Sequence, residues 1–152
     1  MATTMDRTCP RAPGRWHAFL LAAALPLFLG ALLCDCTYWS SYESQWSNFA
    51  SWLMAGGLVF AGIALVCALV DLFRAERRGG RTLAYFVLLL AVFVLGFVNS
   101  LVHARDAYAV MPSGLVLSAV VLVLAGAATW LACSHQACSH QAFAGWRAGE
   151  GR

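Results

Sequence analysis

Four residues of metal-ligating type, Cys133, His135, Cys138 and His140, fall in the stretch ACSHQACSHQA, Ala132 to Ala142, a five-residue unit written twice. Thiolate and imidazole suit zinc or copper. Continued as a helix at about 100° per residue, the stretch would turn Cys133 and His140 to one face and His135 and Cys138 to roughly the opposite one. Cys133 and His140 would also stand about 10 Å apart along the axis, too far for two ligands each about 2 Å from one ion. A metal site here requires the segment to leave the helix. Otherwise the repeat reads as a duplicated tail.

Other chemistry-bearing residues are scattered along apolar sequence. His17 and His103 invite haem, which helical bundles can clamp between facing helices, but they fall at opposite ends of the segments defined below. His17 is therefore a cofactor candidate only with a folded tail beside it. Asp35, Asp71, Asn99 and Arg105 are the polar positions in or beside apolar runs, and intramembrane ionisable groups often mark ion or proton pathways. Asp71 has Arg74 three residues on, a spacing that lets a helix form an ion pair. Cys34 and Cys36 flank Asp35 and could do thiol chemistry, although cysteines two apart bridge poorly in a helix. The chain has no phosphate loop, no G-x-S-x-G, no H-E-x-x-H and no dinucleotide fingerprint. It is read as a non-enzyme.

The elements that must position these residues follow from composition. Of 152 residues 61% are hydrophobic and 11% charged, against roughly 25% charged in a soluble domain. That balance points to a bilayer. The net charge of +3 is carried entirely by arginine on the basic side and gathers beside apolar segments, which argues against a nucleic-acid surface. A spanning helix needs about 20 apolar residues. Four segments qualify, at about 18–34, 49–70, 83–102 and 115–133. They are helices, because hydrocarbon leaves no partner for unpaired backbone groups.

Arginine placement sets the direction. Arg7, Arg11 and Arg15 precede the first segment, Arg74, Arg77, Arg78 and Arg81 fill the second connection, and Arg147 and Arg152 lie in the tail, whereas the opposite side carries only Arg105. Both termini are then cytoplasmic by the positive-inside rule. The first connection, with Asp35 and Glu43, faces outward. Tyr38, Trp39, Tyr42, Trp46 and Trp52 form an outer aromatic belt, with Trp16, Tyr85 and Trp130 as inner counterparts. A cleaved signal peptide is the competing reading of the first segment; its apolar stretch is long for one and lacks a small-x-small site before Asp35. Small-xxx-small pairs at Gly57/Ala61 and Gly96/Ser100 predict close helix packing, within the chain or between copies, and Asn99, Ser118 and Thr129 could bond across helices.

The expected organisation is an all-α integral membrane four-helix bundle. A basic segment, 1–16, leads into the bundle, 17–133, and a cytoplasmic tail, 134–152, carries the duplicated unit.

The ordered runs His17…Gly30-Ala-Leu…Asp35-Cys-Thr-Tyr-Trp39, Trp46-Ser-Asn-Phe-Ala-Ser-Trp-Leu53 and Leu69-Val-Asp71 resemble a bacterial membrane family called domain of unknown function 2231. So do Asn99-Ser-Leu-Val-His-Ala-Arg-Asp-Ala-Tyr108, Pro112-Ser-Gly114 and Leu117-Ser118. The resemblance spans about His17 to Leu131 and implies a four-helix inner-membrane protein. Some relatives are associated with haem or iron-sulfur redox modules. They typically carry a histidine early in helix three and an asparagine four residues later, where this chain has Tyr85 and Leu89. They also tend to end helix four as Gly-Trp-Leu-Gly-Gly, where this chain has Thr129-Trp-Leu-Ala-Cys133.

Three roles follow. The first is a non-enzymatic bundle without cofactor, embedded in lipid, that packs with itself or with a membrane partner. The second is a redox component binding haem, zinc or copper through His17, Cys34, Cys36 and the tail. The third is a small transporter using Asp35, Asp71 and Asn99.

Overall fold

The computed structural model describes the backbone of residues 15–74, 80–104 and 111–150, and the side chains of 16–73, 80, 82–104 and 111–134. Four helices follow one another: α1 (Arg15–Ser41), α2 (Ser44–Arg74), α3 (Gly80–His103) and α4 (Ser113–Glu150). There is no strand among the described residues. Each helix contains a stretch long and apolar enough to cross a bilayer: Trp16–Ser41, Ser44–Phe73, Thr82–His103 and Ser113–Ser134.

Every helix runs past the apolar core read from the sequence. The largest difference is in α4, whose backbone stays helical to Glu150; at the end of α1, Asp35 to Ser41 likewise continue the helix instead of forming a loop. Asp35 stays helical because its side chain finds buried partners, described below. Only Tyr42 and Glu43 separate α1 from α2. Tyr42 adopts φ 55° and its N–H donates to the Tyr38 carbonyl at 2.8 Å, a left-handed residue closing the helix end. Pro26 lies within α1 on its exposed side.

The four helices are arranged as a square. α1 packs against α2 and α4, and α3 against α2 and α4, so α1 and α3 stand on a diagonal. The buried positions explain how the square is held. On α1 they are 17, 21, 24, 28, 31, 35 and 38; on α3, 85, 89, 92, 96, 99 and 103; on α4, 114, 118, 121, 125, 128 and 132. These are alternating steps of four and three, the seam of a left-handed coiled coil. α2 keeps the same rhythm from 47 to 68, with both Gly57 and Leu58 buried.

The seam is lined mainly by small side chains, among them Ala24, Ala31, Ala61, Ala64, Ala125 and Ala128, while Phe19, Leu33, Phe49, Val66, Val87 and Val123 face outward. This inverts a soluble core. Lipid solvates large apolar groups as well as protein does, so helices associate through close backbone approach and polar contacts. A Cβ on Gly57 would lie 2.5 Å from Phe28 Cε1, and one on Gly96 2.9 Å from Leu58 Cδ2. Both glycines thus serve packing inside the bundle, as does Ala61; Ser100 is half-buried.

The aromatic belt divides. Trp39, Tyr42, Trp46, Trp52, Trp16 and Trp130 are exposed, as interfacial anchoring requires. Tyr38 and Tyr85 are buried, because each occupies a seam position.

Candidate functional site

The end of the bundle where α1 and α3 finish and α4 begins contains a buried polar cluster drawn from α1, α3 and α4. Asp35, Asn99 and Ser118 are completely buried and His103 nearly so. The helical period accounts for the arrangement: Asn99 and His103 are one turn apart on α3, and Asp35 and Ser118 are seam positions of α1 and α4. His103 Nε2 lies 2.7 Å from Asp35 Oδ1. Its Nδ1 lies 2.9 Å from the Asn99 carbonyl oxygen. The Ser118 hydroxyl donates to Asp35 Oδ2 at 2.5 Å and accepts from Asn99 Nδ2 at 2.8 Å. The same amide nitrogen is 4.0 Å from Met54 Sδ on α2, so all four helices reach this layer.

The partners fix the proton inventory. Both His103 nitrogens face oxygen acceptors, so with Asp35 ionised the ring must carry both protons. The alternative places one of those protons on Asp35 Oδ1, donating to a neutral ring. In either form the pair shares one proton and has no net charge. The one Ser118 proton is committed to Asp35, which obliges Asn99 to present its NH₂ to Ser118 and leaves Asn99 Oδ1 without a partner.

This geometry differs from that of an activated nucleophile. In a serine-type triad the imidazole sits between hydroxyl and carboxylate and takes the hydroxyl proton. Here the carboxylate is central, Ser118 donates to Asp35, and His103 bonds Asp35 and a backbone carbonyl. The arrangement joins helices across a diagonal; it does not prepare a serine to attack.

A second polar corner lies at the other end. His17 is buried near the start of α1, and Tyr85 is buried near the start of α3. Their ring centroids are 6.1 Å apart, edge to face. His17 Nε2 is 3.8 Å from Asp71 Oδ2 near the end of α2, too long for a hydrogen bond. Both His17 nitrogens and the Tyr85 hydroxyl have no hydrogen-bond partner. The two corners are separated along α1 by eighteen residues, about 27 Å. Apolar layers built on Leu21, Ala24, Phe28, Ala64, Leu89, Val92, Val121 and Ala128 fill the space between.

Several sequence expectations can now be placed. Asp35 and His103 are core residues rather than interfacial ones, and Asn99 and Ser118 do bond across helices. Thr129 instead bonds within α4, to the Ala125 carbonyl at 2.8 Å, since its side chain is only half-buried and its own helix supplies the nearest acceptor. Asp71 pairs toward His17; the Arg74 side chain and Arg105 lie outside the described residues. Cys34, Cys36, Cys67 and Cys133 are free thiols. The backbone of α4 stays helical through the repeat, whereas the side chains of His135, Cys138 and His140 lie outside the described set. No three His, Cys, Asp or Glu side chains converge among the described residues. His17 and His103 stand at opposite corners, so they cannot share a haem.

The family model for a predicted membrane protein, DUF2231, matches residues 15–139, a span that takes in both polar corners, α1 to α3 and most of α4. No curated protein and no solved structure matches the chain.

Proposed function

From its membership of the DUF2231 family of predicted membrane proteins, to which this chain belongs, and from the cluster at its outer end, we propose that it is a non-catalytic membrane bundle. In this reading it resides in a bacterial cytoplasmic membrane with both termini inside, and the Asp35–His103 pair fixes helix register. The observation that carries the reading is that each cluster hydrogen donor meets an acceptor while the pair stays neutral. A neutral, hydrogen-bonded ionisable pair is the form in which hydrocarbon tolerates charge-bearing residues. Buried polar residues at seam positions also specify register in coiled coils.

Transport is the less favoured alternative. A proton path would have to cross the apolar layers between the two corners, and these contain no titratable group on α1 from Trp16 beyond His17 up to Cys34. The test is proton flux in proteoliposomes under an imposed potential, read with an internal pH dye. The bundle reading predicts flux equal to that of protein-free vesicles. Flux abolished by Asp35→Asn would overturn it.

The orientation rests on the arginines that flank the first segment, fill the second connection and lie in the tail. Its outward faces meet lipid, and any homo-oligomer or protein partner would dock on them.

A further inference from the structure

The fold treats its two buried histidines differently. His103 has an acceptor at each ring nitrogen, whereas His17, whose side chain is 4% exposed, has a hydrogen-bond partner at neither. Burying a polar atom without a partner is costly, so a histidine kept in that condition calls for a physical reason. The carboxylate across from it supplies one. Asp71 Oδ2 on α2 lies 3.8 Å from His17 Nε2, too far for a hydrogen bond but within range of an ion pair. The Asp71 side chain is 54% exposed, so rotation about its own bonds can shorten the gap without moving a helix.

The proton on the ring decides whether the gap closes. A neutral imidazole leaves Asp71 to water. A protonated one carries a charge that apolar surroundings tolerate only beside an opposite charge, and its Nε2–H becomes a charge-assisted donor about twice as strong as a neutral one. The described surroundings offer one such partner. α1 packs against α2 and α4. On α2, Cys67 lies one turn before Asp71; on α4, Cys133 lies at the same end of the bundle; and Tyr85 of α3 meets the imidazole edge to face with ring centroids 6.1 Å apart. Among the described residues no second carboxylate stands at this end, and the side chains of Arg15, Arg74, Arg81, the 75–79 connection and the tail lie outside them.

We propose that His17 and Asp71 form a proton-operated latch between α1 and α2: protonation of His17 draws Asp71 in and fastens the two helix ends, and loss of that proton releases them. The stabilisation is present below the titration of the imidazole and is lost as pH rises through it. It is lost again at low pH, where Asp71 takes up a proton. Ordinary values of about 6.5 for histidine and about 3.9 for aspartate place the closed form between them. The latch needs no proton path across the apolar layers, so it stands apart from transport.

The test is equilibrium unfolding of the full chain in one detergent, at about pH 5.5 and about pH 8.5, on either side of the ordinary histidine value. Four chains are compared: wild type, Asp71→Asn, His17→Gln and the double variant. At the lower pH, Asp71→Asn should raise the unfolding constant about fivefold or more, and the cycle should assign that loss to the pair; at the higher pH both effects should vanish. Groups outside the pair, Asp35 and His103 included, are common to all four chains and cancel in the cycle. Asp71 is half-exposed, so Asp71→Asn decides the matter even where His17→Gln fails to fold: a pair between Asp71 and an arginine keeps its charges at both pH values and costs the same at each. A loss equal at the two pH values, no loss at the lower one, or a loss there that persists in the His17→Gln background overturns the proposal.

Discussion

His103 Nε2 lies 2.7 Å from Asp35 Oδ1 although 68 positions separate the two residues and their helices stand on a diagonal of the square. Neither helix packs its length against the other. The contact therefore spans the bundle interior, and Ser118 and Asn99 complete it from the side. Its role in holding the fold leads to specific expectations.

Ser118→Ala removes the donor to Asp35 Oδ2 and the acceptor for Asn99 Nδ2 in one step. Polar contacts between membrane helices are worth about 0.6 kcal/mol on average and up to about 1.7. Two are lost here, so unfolding of the detergent-solubilised chain should show a loss of about 1–3 kcal/mol. Ser118→Thr, which keeps the hydroxyl, should recover part of it. Equal stability for wild type and Ser118→Ala would mean that the cluster bonds are energetically idle.

Gly57→Ala places a methyl against the Phe28 ring. Overpacking of this kind costs about 1–3 kcal/mol, and Phe28→Leu in the same chain should return most of it. Gly126 has nothing within 4 Å of a built Cβ, so Gly126→Ala should be neutral or stabilise by up to about 1 kcal/mol through helix propensity. Thermal unfolding of the three variants beside wild type separates packing from propensity. If both glycine substitutions behave alike, close approach at Gly57 is not what the position provides.

Glu43 lies in the exposed two-residue link between α1 and α2. In an otherwise cysteine-free chain, Glu43→Cys should react with a membrane-impermeant maleimide on intact cells. A chain whose one cysteine is Cys138 should react only after permeabilisation. The reverse pattern would invert the orientation deduced from arginine placement.

The four helices could be read from the sequence, because four apolar runs of spanning length show in local hydropathy alone. The cluster was only half legible. Asn99 and Ser118 stood out as polar residues inside apolar runs, and they bond each other. Asp35 and His103 were assigned to segment ends because hydropathy falls there, and hydropathy cannot distinguish a helix end in water from a helix continuing on paired polar residues. The signal was present in the spacing: His17, Leu21, Ala24, Phe28, Ala31, Asp35 and Tyr38 follow one alternating four-and-three seam. Extending that seam beyond Cys34 places Asp35 in the core, and the same rhythm on α3 carries Asn99 and His103 inward at the same depth. The burial of Tyr38 and Tyr85, first read as belt residues, follows from the same rule. That Asp35 meets His103 across a diagonal depends on how the four helices are arranged, and no local pattern encodes it.

The most direct test of the central claim is a double-mutant cycle on Asp35 and His103, using Asp35→Leu, His103→Leu and the pair, with unfolding free energy measured in one detergent. Removing one partner of a buried ion pair is expected to cost about 3–5 kcal/mol, whereas replacing both by apolar residues can be nearly neutral. The account predicts two destabilised single variants and a double variant that recovers at least about 2 kcal/mol of their summed loss. Single losses that simply add in the double variant would contradict it, since Asp35 and His103 would then stabilise the bundle independently rather than through each other.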